Sequence, residues 1–170
     1  MNQMKTIRIE KITLNVGAGN DQELLKKGMK LIKNLTGIEP IKTISNKRIP
    51  AWGVRPGLPL GCKLTIRGKK ADEILVRLLK AKDGKLSKSC VDACGNVSFG
   101  IHEYIDVPDL NYDPSIGIIG FQVCATLVRP GNRVKLRKLK TRKIGRKHLI
   151  TQEDGINFIK EKFNIIVEDE

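Results

Sequence analysis

Side chains able to do covalent or metal chemistry are sparse in this 170-residue chain: Cys62, Cys90, Cys94 and Cys124, with His102 and His148. A zinc site would need four such groups converging, yet Cys90 and Cys94 are spaced C-x3-C and the others stand apart, without the paired spacing zinc sites use. An even cysteine count with no other mark of a secreted scaffold points to reduced thiols. His102 and Glu103 are the only neighbouring base and acid, and adjacent residues on a strand project to opposite faces, so they make no dyad. Gly17-Ala-Gly19 followed by a helix invites a dinucleotide reading, but Gln22 stands where the fingerprint requires its third glycine, and no Walker sequence is present. No catalytic residue, metal or cofactor is expected, and the chain reads as a non-enzyme.

What remains is the chemistry of charge. Thirty-two Lys and Arg against eighteen Asp and Glu give a net charge of +14, which favours a polyanionic partner, nucleic acid first. A membrane partner is not expected, because no stretch approaches the roughly 20 apolar residues of a span and no basic amphipathic helix carries aromatic anchors. The first residues lack an apolar signal region, so the expected location is the cytoplasm.

Two stretches concentrate this chemistry. Residues 129–148 hold ten Lys or Arg and no acid, interleaved with Val134, Leu136, Leu139 and Ile144, so the run could order on a phosphate backbone. Arg137, Lys138, Lys140, Arg142 and Lys143 are its expected RNA contacts. Residues 45–61 form a long loop punctuated by Pro50, Pro56, Pro59, Gly53, Gly57 and Gly61 and containing the only tryptophan, Trp52. Its prolines and glycines exclude a regular element, and its apolar residues argue for a structured, projecting contact loop.

The elements that position these stretches follow from periodicity. Arg8 to Val16 alternates as a half-buried strand, with Ile12, Leu14 and Val16 opposite Lys11, Thr13 and Asn15. Cys62 to Arg67 repeats the pattern, with Lys63, Thr65 and Arg67 on the polar side. Val97 to His102 and Gly120 to Val128 do the same, and Ile41 to Ile44 is a fifth, short strand. Helices are expected from an Asn20/Glu23 capping start to Thr36, over Lys70 to Lys82, and from a Thr151/Asp154 cap through Phe163. Residues 164–170 are expected to fray. The fold class is α+β: one 170-residue domain with an antiparallel sheet, helices packed on its aliphatic face and the polar face open. On so basic a chain that face suits a folded RNA, held through phosphate, ribose and base edges. Aromatics are only 4% of the residues and the open face has none, which excludes the stacking platform of an RRM.

RIEKITLNVGAG, GVRPGLPLGCKLTIRG and GNVSFGIHEYIDVPDLNYD closely resemble the L-five family of the large ribosomal subunit, and the resemblance spans most of the chain. The basic 129–148 segment and the absence of a helix before Arg8 look like the archaeal and eukaryotic type. The resemblance implies binding of 5S rRNA in the central protuberance, with Asn15 and Thr65 as contacts from the open face. It also implies that a loop of Ile49, Pro50, Ala51, Trp52, Gly53, Val54 and Arg55 projects toward P-site tRNA. Further implied partners are 23S-type rRNA and neighbouring ribosomal proteins, including one of the small-subunit head. The competing reading is a free regulatory module that binds RNA or protein, distinguished by the steep salt dependence that rRNA binding requires.

Overall fold

The computed structural model describes residues 2–168. Its centre is β1 (Arg8–Gly17), which pairs antiparallel with a neighbour on each side. Those neighbours are β3 (Pro59–Ile66) and β6 (Phe121–Val128); β2 (Ile41–Ile44) and β5 (Val97–Ile101) complete a five-stranded sheet ordered β2-β3-β1-β6-β5. Every pairing in it is antiparallel. The alternation read from sequence is realised: Ile12, Leu14, Val16, Cys62, Leu64, Ile66, Val123 and Ala125 are buried in one continuous core. Burial from water also pushes the Cys62 thiol above its ordinary pKa, so it stays protonated and inert.

Three helices meet that aliphatic face: α1 (Gln22–Thr36), α2 (Lys69–Lys80) and α4 (Gln152–Phe163), with the single-turn α3 (Arg133–Leu136) lying in the basic segment. Leu25, Leu31, Ile32 and Leu35 of α1, Leu75, Leu78 and Leu79 of α2, and Ile159 of α4 share the core with the strands. α1 approaches most closely at Gly28, where a Cβ would lie 2.8 Å from Val16 Cγ1. α4 is seated by Gly155, whose Cβ would meet the Gly95 carbonyl at 2.6 Å. The Thr151/Asp154 box caps α4 as expected, with both reciprocal bonds made.

Several expectations are corrected. Asp21, not Asn20, caps α1: its carboxylate accepts from the Glu23 and Leu24 amides at 2.8 and 3.2 Å. The strand after the long loop begins at Pro59 rather than Cys62, which is possible because the register slips between Thr43 and Ile44 where Pro59 pairs; such a bulge tolerates a missing N–H. α2 runs one residue earlier and stops two residues sooner than expected. Residues 166–168 do not fray. Ile166–Glu168 forms β7, which pairs parallel with the three-residue β4 (Lys85–Ser87), and Lys85 meets Glu168 at 3.4 Å. Residues 169 and 170 of that expected tail lie outside the described residues.

Candidate nucleic-acid interface

The polar face is laid out by register. One row across the sheet reads Lys63, Asn15, Gln122 and Gly100, and the next reads Thr65, Thr13, Cys124 and Ser98. Residues opposed in this way have Cβ atoms roughly 5 Å apart, so the two rows form a continuous surface of hydrogen-bonding groups. Lys63, Thr65, Gln122, Cys124, Ser98 and Gly100 are exposed, while Lys11, Thr13, Asn15 and Thr126 are half-buried. Asn15 Nδ2 donates to Gln122 Oε1 at 3.1 Å, which fixes both amides. Among the described residues the Asn15 carbonyl oxygen and the Gln122 amino group then have no side-chain partner, which leaves an acceptor and a donor for a ligand. Arg67 is exposed just beyond the end of β3.

Sequence reasoning placed Gln122, Cys124, Ser98 and Thr126 on the polar sides of their strands but named only β1 and β3 residues of this face as contacts. Their signal was present in the β6 and β5 alternation; only the pairing register shows that they continue the same rows. The face is also not bare throughout. At its far end Lys11 and Thr126 form one wall of a groove of about 320 Å³ whose other wall is the basic segment.

That segment is closed at its base. Arg129 Nη1 donates to the Leu149 carbonyl at 3.2 Å, Arg129 Nη2 to Asp154 Oδ2 at 2.8 Å, and a ring nitrogen of His148 lies 2.8 Å from the Pro130 carbonyl. Inside the loop, Arg142 N–H donates to Val134 O at 3.2 Å and Arg137 Nε to Lys140 O at 2.9 Å, while the Thr141 hydroxyl donates to Arg137 O. Arg129 is therefore a structural arginine, mostly buried and committed to the fold. Arg137 holds the turn at Lys140, which takes a left-handed φ of 51°. Lys138, Lys140, Arg142 and Lys143 are exposed, as contacts to a phosphate backbone would need to be.

The long loop is a hairpin extension rather than an irregular excursion. Ser45 N–H donates to the Leu58 carbonyl at 3.0 Å and its carbonyl accepts from Gly57 N–H at 2.9 Å, Ile49 and Val54 exchange backbone hydrogen bonds of 2.9 and 3.1 Å, and Pro50–Trp52 makes a single helical turn closed by Gly53 at φ 63°. Trp52 is 71% exposed at the tip; Pro50, Ala51, Gly53 and Arg55 are exposed beside it and Ile49 is half-buried. Val54 departs from this group. It is 3% exposed and anchors the loop, so its side chain is not offered to a partner.

Among the described residues no three His, Cys, Asp or Glu side chains gather as a metal site, and no helix is long and apolar enough to cross a membrane. His102 and Glu103 are both exposed.

Comparison with known proteins identifies the family. Residues 2–55 match the family described as ribosomal protein L5, and residues 59–158 match the model for the C-terminus of the same ribosomal family. The break between the two falls in the hairpin loop, yet β1 lies between β3 and β6, so the two matched segments build one sheet. The large ribosomal subunit protein uL5 of Sulfurisphaera tokodaii is 44% identical over 168 residues, covering 98% of this chain and 95% of that protein. The uL5 protein of Nanoarchaeum equitans is 45% identical over 163 residues, covering 95% and 96%, and that of Methanosphaera stadtmanae 40% identical over 168 residues, covering 99% and 100%. By both family matches and by identity to archaeal relatives over nearly its whole length, the chain belongs to the ribosomal protein L5 family, whose members are structural, non-enzymatic proteins of the large ribosomal subunit.

Proposed function

We propose that this protein binds 5S rRNA in the central protuberance through the open sheet face and the basic loop, and reaches P-site tRNA with the hairpin tip at Trp52. The observation that carries the reading is the Asn15–Gln122 pair: two amides locked together at the centre of an exposed polar face present a fixed donor and acceptor while contributing nothing to the core. Lys11, Lys63 and Arg67 at the margins and Lys138, Lys140, Arg142 and Lys143 on the loop supply the sequence-independent attraction to phosphate. In this arrangement the face selects the RNA and the charges hold it. 23S-type rRNA and neighbouring ribosomal proteins, including one from the small-subunit head, complete the proposed surroundings.

Asn15→Ala and Thr65→Ala test the reading. Each removes hydrogen bonds worth on the order of 1 kcal/mol from a surface outside the core. Filter binding should show weaker binding of 5S rRNA with circular dichroism unchanged and the dependence on salt retained. Unchanged affinity in both folded variants would remove the sheet face from the interface.

A further inference from the structure

The groove at the end of the open face contains a group that an RNA-binding surface has no general use for. The register of β1 against β6 slips between Ile9 and Lys11, leaving Glu10 as the extra residue of a bulge. Bulges re-aim side chains beside functional sites, and here Glu10 lines the 320 Å³ groove with Lys11, facing Asn132, Lys135, Leu136 and Ile144 of the basic loop. Among the described residues Glu10 takes part in no ion pair and no side-chain hydrogen bond, and Arg129, which also lines the groove, is committed to Asp154 and the Leu149 carbonyl. A half-buried carboxylate of this kind repels phosphate. It becomes favourable only where the RNA brings it donors, and a carboxylate's two oxygens accept best from two parallel N–H groups. Among the four bases guanine alone presents two adjacent N–H donors on its Watson–Crick edge, N1–H and the N2 amino group. That edge is free only in an unpaired residue, the kind that proteins read in RNA.

We propose that this groove receives one unpaired guanine of the bound 5S rRNA. Glu10 accepts from N1–H and N2–H, Leu136 and Ile144 lie against the base, and Lys11 and Lys135 balance its phosphate. The volume is near the lower end of pockets that enclose one small molecule, about 300 to 1,000 Å³. The inference rests on the proposed binding of 5S rRNA and adds to it the identity of one base.

Glu10→Gln gives the test its sign. Removing a negative charge from a basic groove should tighten RNA binding if only electrostatics act. Recognition of guanine requires the opposite, a loss of roughly 5- to 150-fold, the range for a bidentate base contact. The second arm alters the RNA: inosine, which lacks the N2 amino group, replaces guanosine at each unpaired position of transcribed 5S rRNA in turn. One position should weaken wild-type binding and weaken Glu10→Gln no further. Circular dichroism reports whether the variant folds, and the inosine arm with wild-type protein decides the matter if it does not. Folded Glu10→Gln that binds as tightly as wild type or more tightly, or a scan in which no position weakens wild-type binding, overturns the guanine site and leaves the binding of 5S rRNA standing. Wild-type protein that does not bind 5S rRNA overturns both.

Discussion

Arg129 Nη2 and Asp154 Oδ2 are 2.8 Å apart, and through this contact the first cation of the basic segment is joined to the capping box of α4. The same guanidinium holds the Leu149 carbonyl, so the two ends of the basic loop are pinned by one side chain. A loop closed in this way loses less conformational freedom on meeting RNA than a free basic tail would.

Arg129→Ala should therefore open the loop. The pair is partly solvent-exposed on the Asp154 side, so the expected loss of stability is modest, about 1 kcal/mol. The larger expected effect is local: limited trypsin digestion should cut between residues 133 and 147 faster than in wild type. Arg133→Ala, which removes one charge without touching the clamp, is the control. Equal cleavage in both variants would show that Arg129 does not hold the loop.

The clamp also gives acid stability a direction. The Asp154 carboxyl is held below its ordinary pKa, first by the hydrogen bond from the Thr151 amide, then by the Thr151 side chain and the Arg129 guanidinium. A depressed pKa in the folded protein means stability that is present above the unfolded carboxylate value, about 3.9, and is lost as pH falls through the lower folded value. Asp154→Asn should thus be less stable than wild type by a constant margin from pH 7 to about pH 5, and the margin should shrink below about pH 4. Thermal unfolding of both proteins across that range measures it. A margin independent of pH would assign the stabilisation to shape rather than charge.

The large sheet was legible in the sequence because its signal is local: β1, β3, β5 and β6 each alternate, and a buried face leaves no freedom in which side is inward. The strands' neighbours were not legible. Gln122 meets Asn15 across 107 positions of chain, and nothing in the β6 pattern names its partner. The three-residue β7 was missed for a related reason, since so short a parallel strand has no periodicity and exists only because β4 lies beside it. Asp21 displaced Asn20 as the cap because both are good cap residues one position apart, and only the backbone decides between them. The closure of 129–148 was hidden in its composition: Arg129 looks like the other cations of the run, and its commitment to Asp154 is a tertiary fact. Val54 was read as part of a contact tip because its sequence neighbours are; its burial depends on the hairpin pairing with Ile49.

Gly100 gives a way to separate the open face from the fold. It ends the row that runs from Lys63 through Asn15 and Gln122, and a Cβ built on it meets no atom within 4 Å. Gly100→Leu should leave the protein as stable as wild type or more so by up to about 1 kcal/mol, since glycine within a strand is costly. The new side chain would stand on the polar face and should weaken 5S rRNA binding, while Gly100→Ser should do so less. Denaturant unfolding and filter binding together check this pattern. Full affinity in a folded Gly100→Leu protein would place the RNA elsewhere.

The hairpin tip offers a contact that should be separable from all of this. Trp52 is exposed at the turn while Val54 and the Ile49–Val54 pairing hold the loop beneath it, so the tip can be altered without deleting its support. Trp52→Ala removes a stacking plane, and stacking of a base on an aromatic ring is worth about 1 to 3 kcal/mol. Because the tip lies apart from the polar rows of the sheet, binding of 5S rRNA should stay within about two-fold, as near-additivity of separated sites implies. Large subunits assembled with the variant should release P-site tRNA faster than those with wild-type protein, by roughly 5-fold or more if the stacking energy is fully used. Val54→Ala is the informative companion: it should slacken the loop and give a similar tRNA defect together with a loss of stability that Trp52→Ala lacks. If release of tRNA is unchanged in Trp52→Ala subunits that contain the protein, the tip makes no contact with tRNA and the hairpin serves only to join β2 to β3.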